Sequence, residues 1–242
     1  MKRGHLRTIL EKSRSDFAHC QKKRQWRQDT VVNFYRQVFN RFYIPLEQSY
    51  VTLCAKCGYE PEAQKAGQLR EGCEPDQLLK EGFIFQSQFY GIEGNSEIHE
   101  INKSVHGSFH WRCGDFLRIL SELSCGPNFK PAVICYDSIH FPETFIDYFP
   151  RILRMATEKR WEDLLIVGNF VLTAHGRSVP VTAILKAVEK SEQAQFAFQF
   201  GNWKMHSHYY QYDGKGSHSA TKMGTILFYN RKGGNNGNKK GK

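Results

Sequence analysis

Between residues 30 and 42 the apolar side chains Val31, Phe34, Tyr35, Val38 and Phe42 recur at helical spacing, and Pro45 closes the run. Ahead of it, residues 5–25 alternate charged with small apolar residues and read as a surface helix. Ser49–Cys54 is a short β-rich run, and Ala55–Gly72, with three glycines and a proline, reads as an irregular connection. Glu74-Pro75-Asp76 has the proline and acids of a helix start. The pattern then alternates. Strands are predicted over Gln88–Glu93, Phe109–Cys113, Ala132–Tyr136 and Asp163–Leu172, and helices over Asn95–Lys103, Phe116–Ser124, Phe145–Glu158 and Val179–Lys190. The strands AVICY and DLLIVGNFVL are continuously apolar, the mark of strands covered on both faces. Ala194–Trp203 and Thr221–Tyr229 read as two further β-rich runs separated by a polar, His- and Gly-rich stretch.

Alternating strands and helices imply an α/β fold: a doubly wound, mostly parallel Rossmann-like sheet with helices on both faces. The last two strands have no helix between them and are expected to pair antiparallel at one edge. Three regions follow: a basic helical N-terminal extension (1–44), an α/β domain (45–231) and a disordered basic tail (232–242). No apolar run is long enough to span a membrane. The charged N-terminus lacks the apolar core of a signal peptide. With 7 cysteines, an odd number, a reducing, cytoplasmic compartment is expected.

Charge changes this picture at the ends of the chain. Residues 1–50 hold 11 Lys/Arg against 4 Asp/Glu, and residues 204–242 hold 8 against 1, while the middle is acidic. Basic ends of this kind attract phosphate backbones, so RNA or DNA is the expected partner. A protein partner within a larger assembly is the other expectation.

In such a sheet ligands bind beyond the carboxyl ends of the strands, so the residues there carry the chemistry. They are Cys54, Glu93, Asp115 and Asp137. A carboxylate after the second strand can accept both hydroxyls of a ribose, one after the third can accept from an adenine amine, and one after the fourth lies where a reacting group would sit. The competing reading makes each of them a helix cap. Asn169 interrupts a buried strand, and His175 and Arg177 follow its end, bordering the same pocket. His206 and Tyr209 fall in the polar stretch and read as substrate-facing groups, with an exposed hairpin loop as the alternative. Lys22-Lys23-Arg24-Gln25-Trp26-Arg27 suits phosphate contact with base stacking, or a solvated helix with Trp26 docked on the core. Cys54-Ala-Lys-Cys57 with Cys73 has the spacing of half a zinc site, the fourth ligand being open among Cys113, His99 and His110; buried structural thiols are the alternative.

The succession Phe-Tyr-Gly-Ile-Glu93, Cys-Gly-Asp115 and Val-Ile-Cys-Tyr-Asp137, closed by Met223-Gly-Thr-Ile-Leu-Phe-Tyr-Asn230, resembles the class I S-adenosylmethionine-dependent methyltransferases over residues 45–231. The resemblance implies S-adenosylmethionine as cofactor. Cys54 and Gly58 in the first loop, Glu93 at the ribose, Asp115 and Phe116 at the adenine, and Asp137 near the methyl group would hold it. Asp137 and His140 would be the catalytic groups, and a nucleic acid the methyl acceptor. Against the family pattern, the first loop is long and carries scattered glycines, and Asp137-Ser138-Ile139-His140-Phe141-Pro142 replaces the Asp/Asn-Pro-Pro-aromatic of the amino-methylating DNA enzymes. These differences carry a second expectation, a catalytically inactive scaffold of the same fold. A third, a nicotinamide-dinucleotide enzyme, lacks GxGxxG in its first loop.

Overall fold

The computed structural model describes residues 24–53, 74–105, 107–137, 142–174, 177–212 and 221–232. Helix α1 has a π-helical stretch, Arg27–Asn33, running straight into Phe34–Phe39, and it ends on Asn40 in the left-handed conformation. Then come β1 (Ser49–Leu53), α2 (Glu74–Lys80), β2 (Phe89–Glu93), α3 (Ser96–Val105), β3 (His110–Cys113), α4 (Phe116–Ser124), β4 (Pro131–Asp137), α5 (Pro142–Glu158) and β5 (Leu165–Val171). After a two-residue ladder between Thr173–Ala174 and Arg177–Ser178 come α6 (Val181–Lys190), α7 (Glu192–Phe200), β6 (Trp203–Tyr212) and β7 (Thr221–Asn230).

The seven strands lie in the order β3-β2-β1-β4-β5-β7-β6. β1 to β5 are parallel, and β7 runs antiparallel to both β5 and β6. The crossover direction changes at β1, which passes to β2 on one side while β4 joins it on the other. Period-two alternation gives the sheet two apolar faces. Val51, Ile92, Ile134, Ile166, Ile226 and Phe228 pack beneath α4, α5, α6 and α7. Tyr50, Phe89, Val133, Cys135, Val167 and Leu227 pack beneath α1 and α2. The described part of the N-terminal segment therefore belongs to the core: Val31, Val32, Tyr35 and Phe39 are buried in the second layer.

Two close approaches set the layer spacing. Gly168 lets the rings of Phe145 and Phe149 lie on β5, and Gly91 admits the indole of Trp111; a Cβ at either position would overlap those rings.

One expected strand is a helix. The run before Trp203 forms α7, because Ser191 caps it with a hydrogen bond from Ala194 N (3.2 Å) and Ala194 and Ala197 bury one face. The expected polar stretch is correspondingly shorter, since Trp203–Tyr212 is all strand β6.

Candidate functional site

β1 is flanked by β2 and β4, with Leu53 opposite Ile92 and Thr52 opposite Cys135. Glu93 is thus one residue past the end of the β1–β2 pairing, and Asp137 two past that of β1–β4. Strands are about 4.8 Å apart, so these acids straddle the end of β1 roughly 10 Å from one another. Glu93 follows Phe89 and Gly91, and Asp137 follows Val133 and Cys135, so the pleat turns both toward the α1/α2 layer. Both are buried.

The turns beyond β2 and β3 are tied together, because Gly114 N donates to the Glu93 carbonyl at 3.0 Å. Gly114 has φ 145°, a backbone that favours glycine. The Glu93 carboxylate accepts from Asn95 N at 2.9 Å, and Asn95 itself caps α3 through Glu97 N (2.9 Å) and Ile98 N (3.2 Å). Asp115 is the N-cap of α4, accepting from Arg118 N at 2.9 Å. Its second oxygen accepts from the Tyr148 hydroxyl of α5 at 2.8 Å. That hydrogen bond holds the Tyr148 phenol above its ordinary pKa. Asp115 is therefore drawn toward α4 and α5, the layer opposite Glu93 and Asp137, and does act as the cap that strand-end acids often form.

Below Asp137 a buried polar chain crosses the sheet. Asn169 donates to Asp137 (2.8 Å), the Thr225 hydroxyl donates to Asn169 (3.2 Å), and the Trp26 indole N–H donates to Thr225 (2.9 Å). Trp26 is thus docked on the core. Next to this chain lies a charged cluster. Arg27 Nε is 3.3 Å from Glu74, and its Nη1 donates to Gln77 at 2.7 Å. Glu74 also accepts from Tyr50 (2.6 Å) and Thr52 (3.2 Å). Burial opposes the Arg27 charge, but Glu74, with Tyr50, Cys135 and Asp137 beyond it, outweighs that cost and raises the guanidinium pKa. Burial, reinforced by Glu74, drives the Tyr50 phenol well above its usual range, so it donates as a neutral group. Arg27 therefore has Glu74 as its ion-pair partner and Asp137 within electrostatic reach, and Glu74, Glu93 and Asp137 are all buried.

A parallel sheet reversing direction at β1 and closed by an antiparallel hairpin, with β7 inserted between β5 and β6, is the decisive topology. The chain has the class I methyltransferase fold. Among solved structures, the methyltransferase-fold chain is similar to the O-methyltransferase TomG from Streptomyces achromogenes (14% identity, 96% of this chain and 99% of that one, TM-score 0.43). It is also similar to the N-methyltransferase NodS from Bradyrhizobium japonicum (8% identity, 89% and 99%, TM-score 0.42). A third similarity is to the O-methyltransferase from Bacillus cereus in complex with SAH (12% identity, 83% and 79%, TM-score 0.40). These are distant similarities of fold alone. The sequence matches no protein-family model and no curated protein.

The remaining candidate residues divide by position. Asn169 does stand beside Asp137. The Phe116 ring is in the core against Tyr136 (centroids 5.4 Å apart). His206 sits in β6 opposite Leu227 and stacks on Phe34 at 5.5 Å, a packing contact in place of the expected loop position. Tyr209 is also in β6, opposite Gly224, and Arg177 is in the two-residue ladder; the side chains of both lie outside the described structure. Cys54, Cys57, Gly58, Cys73, His140 and His175 lie outside the described residues altogether. Among the described residues no cluster of His, Cys, Asp and Glu could hold a metal ion, and His110 stacks on Tyr90. No described helix is long and apolar enough to cross a membrane.

Sequence reasoning missed Tyr50, Glu74, Gln77 and Thr225. It noticed Trp26 and Arg27 without their partners. One signal was available: Arg27 is in phase with Val31 and Tyr35 on the inward face of α1, where a charge demands a buried counter-charge.

Proposed function

We propose that this chain is an S-adenosylmethionine-dependent methyltransferase acting on a nucleic acid. The observation that carries the reading is the placement of Glu93 and Asp137 on either side of the end of β1, at the switch point of this strand order. The donor set fits the cofactor. Glu93 keeps acceptor capacity beyond its one bond from Asn95 and suits a ribose hydroxyl pair. Two carboxyl groups at this rim, Glu93 and Asp137, suit a sulfonium cation. When bound, the cofactor supplies an electrophilic methyl group. The chain's own part is to bind and orient: Asn169 fixes the Asp137 carboxylate, and Gly114 lets the Asp115 turn close against Glu93. The nucleic-acid acceptor rests on the two basic ends, each +7, against an acidic middle.

Calorimetric titration of the full chain with S-adenosylmethionine and with its demethylated product tests the cofactor. Binding of both is expected, with Glu93→Ala weakening it by about 10- to 100-fold, the worth of hydrogen bonds to a charged group. Transfer of labelled methyl to RNA or DNA, falling steeply with salt, tests the acceptor. A binding scaffold of the same fold is the second reading. It is favoured by Asp137 being buried and already hydrogen-bonded by Asn169. Failure to bind either titrant at millimolar concentration would leave that reading standing and sink the first.

A further inference from the structure

At the amino ends of β1 and β4, across the sheet from the carboxylate rim, lies an open cavity of about 500 Å³. Five cations line it: Arg41, Lys130, Lys159, Arg160 and Lys232. Two are committed. Arg41 pairs with Asp163 at 2.9 Å, and Lys232 pairs with Glu162 at 3.0 Å in solvent. Asp163 also accepts from Lys232 N at 2.9 Å, so a single carboxylate joins the loop after α1 to the end of β7. Lys130, Lys159 and Arg160 form no ion pair among the described residues and are exposed, with Glu47 the one acid in the lining not already paired there.

Arg160 is the informative residue. Trp161 N bonds to Ala156 O (3.0 Å) and Arg160 N to Thr157 O (3.1 Å), the paired bonds that close a helix on a left-handed residue. Arg160 is that residue, with φ 54°. Glycine fits there without strain; an arginine does not. Asp163, also lining the cavity, has φ 53°. The helix dipole favours a cation near the end of α5, and Lys159 already supplies one. It does not explain a guanidinium on a strained backbone, nor Lys130 at the start of β4. Beside the cations, half-buried Phe129 and the edge of Trp161 (ring centroids 5.9 Å apart) provide an apolar wall.

We infer that this cavity is a binding site for a phosphate-bearing ligand, held by Lys130, Lys159 and Arg160. Two sources share that chemistry, a free phosphate compound and the backbone of a nucleic-acid strand. The site is independent of methyl transfer, so its test does not read activity.

Inorganic pyrophosphate and a short single-stranded oligonucleotide are each titrated into the full chain and into Arg160→Gly. Glycine relieves the left-handed strain, so the variant is expected to melt higher than the wild type while binding at least tenfold more weakly. Lys130→Gln with Lys159→Gln is expected to weaken binding similarly and to flatten its salt dependence. Pyrophosphate binding without oligonucleotide binding assigns a free phosphate compound. Oligonucleotide binding displaced by pyrophosphate assigns a strand backbone. Arg160→Gly binding as tightly as the wild type, or no binding of either probe to the wild type, would overturn the inference.

Discussion

Glu74 and Arg27 form an ion pair removed from water, and Glu74 also accepts from Tyr50 and Thr52. Desolvating two charges is repaid only while all these contacts hold, so removing one partner strands the other. Glu74→Ala should therefore lose about 3–5 kcal/mol in urea unfolding. Arg27→Met with Glu74→Gln should lose less than either single change, because neither member of the pair is left without its partner. Additive losses would show that the pair's charges do not depend on one another. At the adjacent chain, Asn169→Leu removes the donor to Asp137 and the acceptor for Thr225. A loss of about 1–3 kcal/mol is expected, the cost of burying an unsatisfied group. The acids at the ends of β2, β3 and β4 were legible in the sequence, because a strand followed by a turn marks its own end. The groups beneath them were not. Trp26 and Thr225 are 199 positions apart, and local pattern holds no record of that meeting.

At the scale of elements, the continuous apolar runs identified β4 and β5, and helical spacing identified α1, α4, α5 and α6. α7 escaped for a definable reason. In Gln195-Phe196-Ala197-Phe198-Gln199-Phe200 apolar groups mostly alternate with others, which reads as a half-buried strand. The helix wins because its small side chains, Ala194 and Ala197, face the core, while Phe196 and Phe200 stack on one another at 4.9 Å outside it. Arg154 of α5 lies over the Phe196 ring at 5.1 Å. The Ser191 cap is then the local switch, and Ser191→Ala should cost about 1 kcal/mol, read as a lower melting temperature. The contact between α5 and β5 is tighter. Gly168→Ala places a methyl group inside the space of the Phe145 and Phe149 rings and should cost about 1–3 kcal/mol by overpacking. An unchanged urea midpoint would mean that α5 slides freely on the sheet.

Over the whole molecule, α1 spans one face of the sheet from Trp26 at the carboxylate rim to Asn40, whose neighbour Arg41 lines the opposite cavity. Its layer holds two buried phenols, Tyr35 and Tyr50. Burial pushes Tyr35 up to about 12, against an opposing pull from Arg41, and Tyr50 well above its usual value. The sign of the resulting pH dependence follows from proton counts. Unfolded tyrosines release their protons near pH 10, whereas the native layer keeps them. The stabilisation is thus complete below about pH 10 and is lost as pH rises through the native values. Two pKa units for Tyr35 correspond to about 2–3 kcal/mol. Urea midpoints measured from pH 8 to pH 12 should hold until about pH 10 and then fall. Tyr35→Phe should fall less steeply over the same range, with little change at pH 8. If the variant and the wild type lose stability in parallel, the alkaline loss arises elsewhere, and the seal of α1 on this face does not depend on keeping Tyr35 protonated.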